Sequence, residues 1–96
     1  MQQAMKKFTA ITQGAALRDL PDAVISGGFN NYSILHSVEG KGDRGFRQAE
    51  GFHVEESNIM FLCICAPDRL SELADIVRPY LHRYGGLCWS EDVTVL

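Results

Sequence analysis

Phe8, Ala10 and Thr12 alternate with Thr9 and Ile11 along Lys7 to Thr12, and this period of two predicts a short strand with Phe8, Ala10 and Thr12 on one face. Leu17, Leu20 and Val24 then recur at helical spacing. Pro21 has no N–H to donate and clashes with the preceding turn inside a helix. The firm helix is therefore placed at Leu20 to Ser26, with Asp19 as its N-cap and Pro21 in its first turn. Gly27-Gly28 ends it, and Asn30-Asn31 turn the chain into a second strand, Tyr32 to Val38.

Ile59 to Ala66 is an almost unbroken apolar run, which suits a central strand covered on at least one face. Pro67-Asp68 punctuates it, with Asp68 expected to cap a second helix. Leu70, Leu73, Ile76, Val77, Tyr80, Leu81 and Tyr84 form the apolar stripe of that helix, and Pro79 predicts a kink near its end. Gly85-Gly86 stops it, and Leu87 to Leu96 supplies a last strand with Val93 and Val95 on one face. The order βαββαβ predicts an α+β, ferredoxin-like sandwich, with a four-stranded antiparallel sheet and both helices on one face. Apolar residues on the uncovered face would favour an oligomer.

With 96 residues the chain has room for one domain and one core. A net charge of −3 argues against a general nucleic-acid binder, which needs a broad basic face. The stretch Met1 to Lys7 lacks the apolar centre of a signal peptide, and no run approaches the roughly 20 apolar residues of a membrane span, so a soluble, cytoplasmic protein is expected. Cys63, Cys65 and Cys88 are odd in number and show no metal-ligand spacing. They read as small buried hydrophobes in a reducing compartment, with a redox role for Cys88, beside Trp89, as the alternative. His36, His53 and His82 add no zinc-type spacing, and no serine or cysteine has an evident His and acid partner for nucleophilic catalysis.

The segment between Val38 and Ile59 follows neither period and reads as a long loop, at about residues 39–57. Loops longer than about 12–15 residues in small domains are usually functional or disordered. Its first eight residues, Gly40-Lys41-Gly42-Asp43-Arg44-Gly45-Phe46-Arg47, hold three glycines and three cations, whereas its far half carries Glu50, Glu55 and Glu56 around His53. Glycines let backbone N–H groups approach a ligand, Arg44 and Arg47 can each fork onto phosphate or carboxylate oxygens, and Lys41 adds a point charge. The chemistry suits an anion. The segment lacks the Gly-Lys-Ser/Thr of a Walker A loop.

These words, in this order of elements, resemble the PII signalling superfamily. Met5-Lys6-Lys7 precedes the first strand as in many PII proteins, and Val38-Glu39-Gly40-Lys41-Gly42 is similar to the Val-Lys-Gly-x-Gly stretch that leads into their T-loop. Closer still is the PII-like branch associated with bicarbonate transport and carboxysomes, where Gly-Lys-Gly-Ser-Arg-x-x-Arg opens the T-loop. Arg83-Tyr84-Gly85-Gly86-Leu87 also resembles the Tyr-Ala-Gly-Ile segment that closes the nucleotide site in that branch.

The resemblance implies a homotrimer with adenine nucleotides in the clefts between subunits. Gly40, Lys41 and Gly42 would hold the nucleotide, while Arg44 and Arg47 would reach its phosphates. Gly85, Gly86 and Leu87 would come from the neighbouring subunit, and Ile11, Ser33 and Ser37 would line the adenine and ribose side. Bicarbonate would be a second ligand, held near Gly42, Arg44 and Arg47. Asp43 replaces the branch's serine, and its charge favours ADP or AMP over ATP. The implied function is a non-enzymatic sensor without catalytic cofactor, whose T-loop order reports inorganic-carbon or energy status. The implied partner is a membrane bicarbonate transporter or another carbon-concentrating protein, to which the sensor would be recruited peripherally. The rival readings are a slow nucleotide phosphohydrolase using the same cleft and a CutA-like trimer that binds divalent metal.

Overall fold

Backbone pairing extends the first strand well beyond its apolar centre. A computed structural model describes residues 2–42, 45–47 and 57–96, with the backbone alone described at 40–42 and 45–47. β1 spans Gln3–Gln13, longer than Lys7 to Thr12, because it lies between two partners and its polar ends are carried by ladder bonds. It is followed by a 3₁₀ turn, Gly14–Arg18, which takes up Leu17, and by α1, Leu20–Ser26. β2 is Tyr32–Val38, β5 is Asn58–Cys65, α2 is Leu70–Tyr84 and β6 is Gly86–Val95. The four long strands form one antiparallel sheet in the order β2-β5-β1-β6. This is the predicted βαββαβ sandwich.

Three local expectations are corrected. Part of the expected loop is a hairpin, β3 (Gly40–Gly42) against β4 (Gly45–Arg47), with Gly40 opposite Arg47 and Gly42 opposite Gly45. Glycine-rich strands of three residues are held by backbone bonds and show no apolar alternation, so the pattern missed them. Asp68 does not cap α2: Pro67–Arg69 form a 3₁₀ turn, the Arg69 N–H donates to the Ala66 carbonyl, and α2 starts at Leu70 without a side-chain cap. Asp19 does precede α1, with Pro21 in the first turn, but its backbone carbonyl rather than its side chain bonds, accepting from the Ala23 N–H. α2 continues through Pro79 to Tyr84.

The core lies between the helices and one face of the sheet. Phe8, Ala10 and Thr12 point into it as the alternation predicts, joined by Phe61, Cys63 and Cys65 from β5. Leu20 and Val24 of α1 and Leu73 and Val77 of α2 are fully enclosed, each worth about 1.5–3 kcal/mol relative to exposure. Phe8 meets Phe61 edge-on at 6.2 Å, and Tyr32 stacks on Phe61 at 5.6 Å. Arg69 ties the helices together. Its Nη2 donates to the Gly27 carbonyl at 2.8 Å, its Nε and Nη2 donate to Glu72, and its guanidinium lies 4.1 Å from the centre of the Phe29 ring.

Among the described residues, no helix lies on the opposite face of the sheet. Pairing places Ser33, Leu62, Thr9 and Trp89 in one row across the four strands, and Leu35, Met60, Ile11 and Leu87 in the next. Leu35, Ile64, Leu87, Trp89 and Val95 are exposed there, whereas the Thr9 hydroxyl is buried among its neighbours without a hydrogen-bond partner. Charge borders this surface, where Lys7 faces Glu91 at 3.9 Å.

Candidate ligand site at one end of the sheet

Both β1 and β2 run antiparallel to β5, so they run in the same direction and finish together. Val38 and Gln13 both pair with Asn58, and Thr12 pairs with Gly86. The end of β2, the root of the β3–β4 hairpin, the end of β1 and the start of β6 therefore meet at one end of the sheet.

On the β2 side the register slips between Leu35 and Val38, and Ser37 takes a φ of 59° inside the slip. An extra residue in one strand bends it and increases its twist. Ser37 is exposed at this bend, and the hairpin carrying Gly40, Lys41, Gly42 and Arg47 starts three residues later. Asp43 and Arg44, together with Glu50, His53, Glu55 and Glu56, lie outside the described residues.

On the β6 side the chain leaves α2 through two glycines in conformations that L side chains rarely adopt. Gly85 has φ 83° and ψ 167°, and Gly86 has φ 121°. The Gly85 N–H donates to the Leu81 carbonyl at 2.8 Å, and its own buried carbonyl accepts a 2.6 Å hydrogen bond from the Thr12 hydroxyl. A Cβ on Gly86 would lie 1.9 Å from the Ile11 carbonyl oxygen, so β1 and β6 close on each other here as only glycine permits. Leu87 follows, 60% exposed and directly opposite Ile11.

The expected site residues thus divide. Ile11, Gly85, Gly86 and Leu87 adjoin one another; Ser37, Gly40, Lys41, Gly42 and Arg47 are grouped at the hairpin. Ser33 stands apart, opposite Leu62 and two rows in from the Val38–Asn58 pairing. β2 and β6 are opposite edges of the sheet, three strand spacings or roughly 14 Å apart. The two groups lie at the same end of the sheet, on its opposite edges. Thr12 adjoins the second group through its bond to Gly85, although its alternation with Ile11 marked it only as a core position, and a bond across 73 residues leaves no signal in the local pattern.

Burial pushes the Cys63 thiol up to about 11, with the neighbouring Cys65 adding to the rise, and burial likewise raises Cys65. Cys63 pairs with Phe8 and Cys65 with Lys6, away from the Gly86 end, in keeping with packing groups. Among the described residues, no three His, Cys, Asp or Glu side chains come together as metal ligands, and no helix is long and apolar enough to cross a membrane.

The family profile described as nitrogen regulatory protein P-II matches residues 5–96. Among solved structures, the chain is similar to CPII, a nitrogen regulatory PII-like protein from Thiomonas intermedia K12, bound to ADP, AMP and bicarbonate. That match has a TM-score of 0.87 and 22% identity, over 99% of this chain and 91% of that one. CPII from the same organism bound to ADP and bicarbonate matches with a TM-score of 0.81 and 23% identity, over 99% and 91%. Its apo form matches with a TM-score of 0.78 and 20% identity, over 99% and 95%. A comparison with curated protein sequences finds no match.

Proposed function

The chain belongs to the nitrogen regulatory protein P-II family, and from that premise we propose that it is a non-enzymatic sensor of adenine nucleotide and bicarbonate. The observation that carries this reading is the division of the site. The glycine-rich hairpin and the Gly85–Leu87 segment share one end of the sheet but lie at its opposite edges. A cleft built from both would form where the hairpin edge of one copy meets the Gly85–Leu87 edge of another, and the helix-free apolar face offers the surface for association. We take the assembly to be a homotrimer with three such clefts.

Gly40, Lys41 and Gly42 would hold ADP or AMP, and Arg44 and Arg47 would meet its phosphates. Gly85, Gly86 and Leu87 would come from the next subunit, with Ile11 and Ser37 on the adenine and ribose side. Ser33 is the weakest member of this set, being two rows removed from the end of the sheet. Bicarbonate would sit near Gly42 and the two arginines. Support for these ligands comes from CPII, whose structures hold ADP, AMP and bicarbonate. Ligand binding would bias the order of residues 39–57 by its differential affinity for the ordered state. The resemblance to the bicarbonate-transport branch makes an inorganic-carbon transporter the expected partner.

Calorimetry with ADP, AMP, ATP and bicarbonate, singly and in pairs, tests the reading. Nucleotide binding without turnover, weakened in Arg44→Ala and Arg47→Ala, is the expected result. Failure of every adenine nucleotide to bind at millimolar concentration would overturn it, and metal-dependent phosphate release would replace the sensor with a hydrolase.

A further inference from the structure

Thr12 is a polar side chain in a row of the sheet that otherwise enters an apolar core, and it is 1% exposed. Its hydroxyl donates to the Gly85 carbonyl across 73 residues of sequence, at 2.6 Å. That carbonyl is at the exit from α2, where Gly85 and Gly86 both have positive φ and have no side chains to fix their rotation. A glycine pair samples more backbone conformations than any other pair, so something else must select one. Two features of β1 do so here. The Ile11 carbonyl leaves no room beside the Gly86 Cα, and the Thr12 hydroxyl takes one oxygen of the Gly85–Gly86 peptide. Because a trans peptide is planar, holding the Gly85 C=O also fixes the direction of the Gly86 N–H at its other end. The exposed Leu87 comes next in the chain.

We propose that Thr12 is a positioning residue of the ligand cleft: its hydroxyl locks the Gly85–Gly86 peptide and so presents Gly86 and Leu87 to a nucleotide bound against the neighbouring subunit. The inference rests on the reading of this segment as half of a nucleotide site. It goes beyond that reading by giving the site's geometry to a buried side chain that would not touch the ligand.

The test compares the wild-type protein with Thr12→Val, which keeps the shape and removes the donor, and Thr12→Ser, which keeps the donor. Two readouts are taken: amide hydrogen exchange at residues 85–87 in the ligand-free protein, and the Kd for ADP by calorimetry. Thr12→Val is expected to exchange faster across 85–87 and to weaken ADP about five- to tenfold, the scale of one lost hydrogen bond, while Thr12→Ser restores both to near wild type. An unchanged Kd in Thr12→Val, with the wild type binding ADP, overturns the positioning role alone. Equal weakening in Thr12→Ser and Thr12→Val also overturns it, since packing rather than the hydroxyl would then be at work. If the wild type binds no ADP, the nucleotide reading itself fails and the positioning role falls with it. Should Thr12→Val not fold, Thr12→Ser and Thr12→Ala carry the same comparison.

Discussion

Gly86 and Ile11 approach so closely that a single methyl group on Gly86 would stand 1.9 Å from the Ile11 carbonyl oxygen. The obstruction is backbone at the end of the β1–β6 pairing where β6 begins, so no side-chain rotation relieves it. The φ of 121° adds a second penalty for any L residue. Gly86→Ala is expected to destabilise the fold by at least about 3 kcal/mol, seen as a lower midpoint in urea unfolding. An unchanged midpoint would mean that the α2–β6 junction is not as tight as described.

Arg69 supports a second prediction. Its guanidinium joins the Gly27 carbonyl at the end of α1, Glu72 on α2 and the face of Phe29. The carboxylate pair is partly exposed and contributes little, so the carbonyl bond and the ring contact should dominate. Arg69→Ala is expected to cost about 1–2 kcal/mol in thermal or chemical unfolding. Arg69→Lys should recover less than half, because an ammonium cannot bond the carbonyl and cover the ring together.

Most of the fold was legible because side-chain period carries it. The alternation of Phe8, Ala10 and Thr12, the stripe from Leu70 to Tyr84 and the run from Ile59 each report a buried face directly. Features made by backbone alone were not legible: the ladder extending β1 to Gln3, the β3–β4 hairpin and the 3₁₀ turn that displaced Asp68 from a capping role. The candidate site was legible as words rather than as a place. Gly40 to Arg47 and Gly85-Gly86 stand out in sequence, but their meeting at one end of the sheet depends on strand directions. Thr12 escaped notice because a bond to Gly85, 73 residues away, leaves no local pattern.

The buried thiols predict a stability that falls at high pH. Cys63 moves from an ordinary value of 9.0 up to about 11, burial being the main cause and Cys65 the lesser one. The folded state then holds its proton more tightly than the unfolded state. Stability from the neutral thiol is complete below about 9 and is lost as pH rises through about 11. Cys65 shifts in the same direction, also chiefly through burial. Unfolding free energy measured from pH 8 to pH 11 should decline, and the slope should be shallower in Cys63→Ala. At pH 8 a thiol reagent should modify the half-buried Cys88 before Cys63, with the order read by peptide mass.

The helix-free sheet face predicts association. Leu62 lies in its middle row between Ser33 and Thr9, with exposed Leu35, Ile64 and Trp89 around it. Placing a carboxylate there charges a surface that a partner would have to desolvate. Sedimentation velocity should give a trimer for the wild type and a monomer for Leu62→Glu, with circular dichroism showing that the fold is retained. A monomeric wild type would remove the intersubunit cleft.

Ser37 yields the last prediction, since among the described residues it is the one with a side chain that has positive φ, and it sits where β2 slips register before the hairpin. A β-branched residue tolerates φ of 59° poorly, whereas glycine adopts it freely but loses more entropy on folding. Ser37→Val should therefore lower stability by about 1–2 kcal/mol, and Ser37→Gly should leave it within about 0.5 kcal/mol of wild type. The two substitutions also separate shape from side-chain chemistry at the proposed nucleotide site. If Ser37 acts only by bending β2 towards the cleft, Ser37→Gly binds ADP as the wild type does and Ser37→Val binds it more weakly. If its hydroxyl touches the ribose, both substitutions weaken binding, and Ser37→Thr recovers it despite the strain. Calorimetry on the three variants distinguishes these outcomes, because only the second makes affinity follow the hydroxyl rather than the backbone.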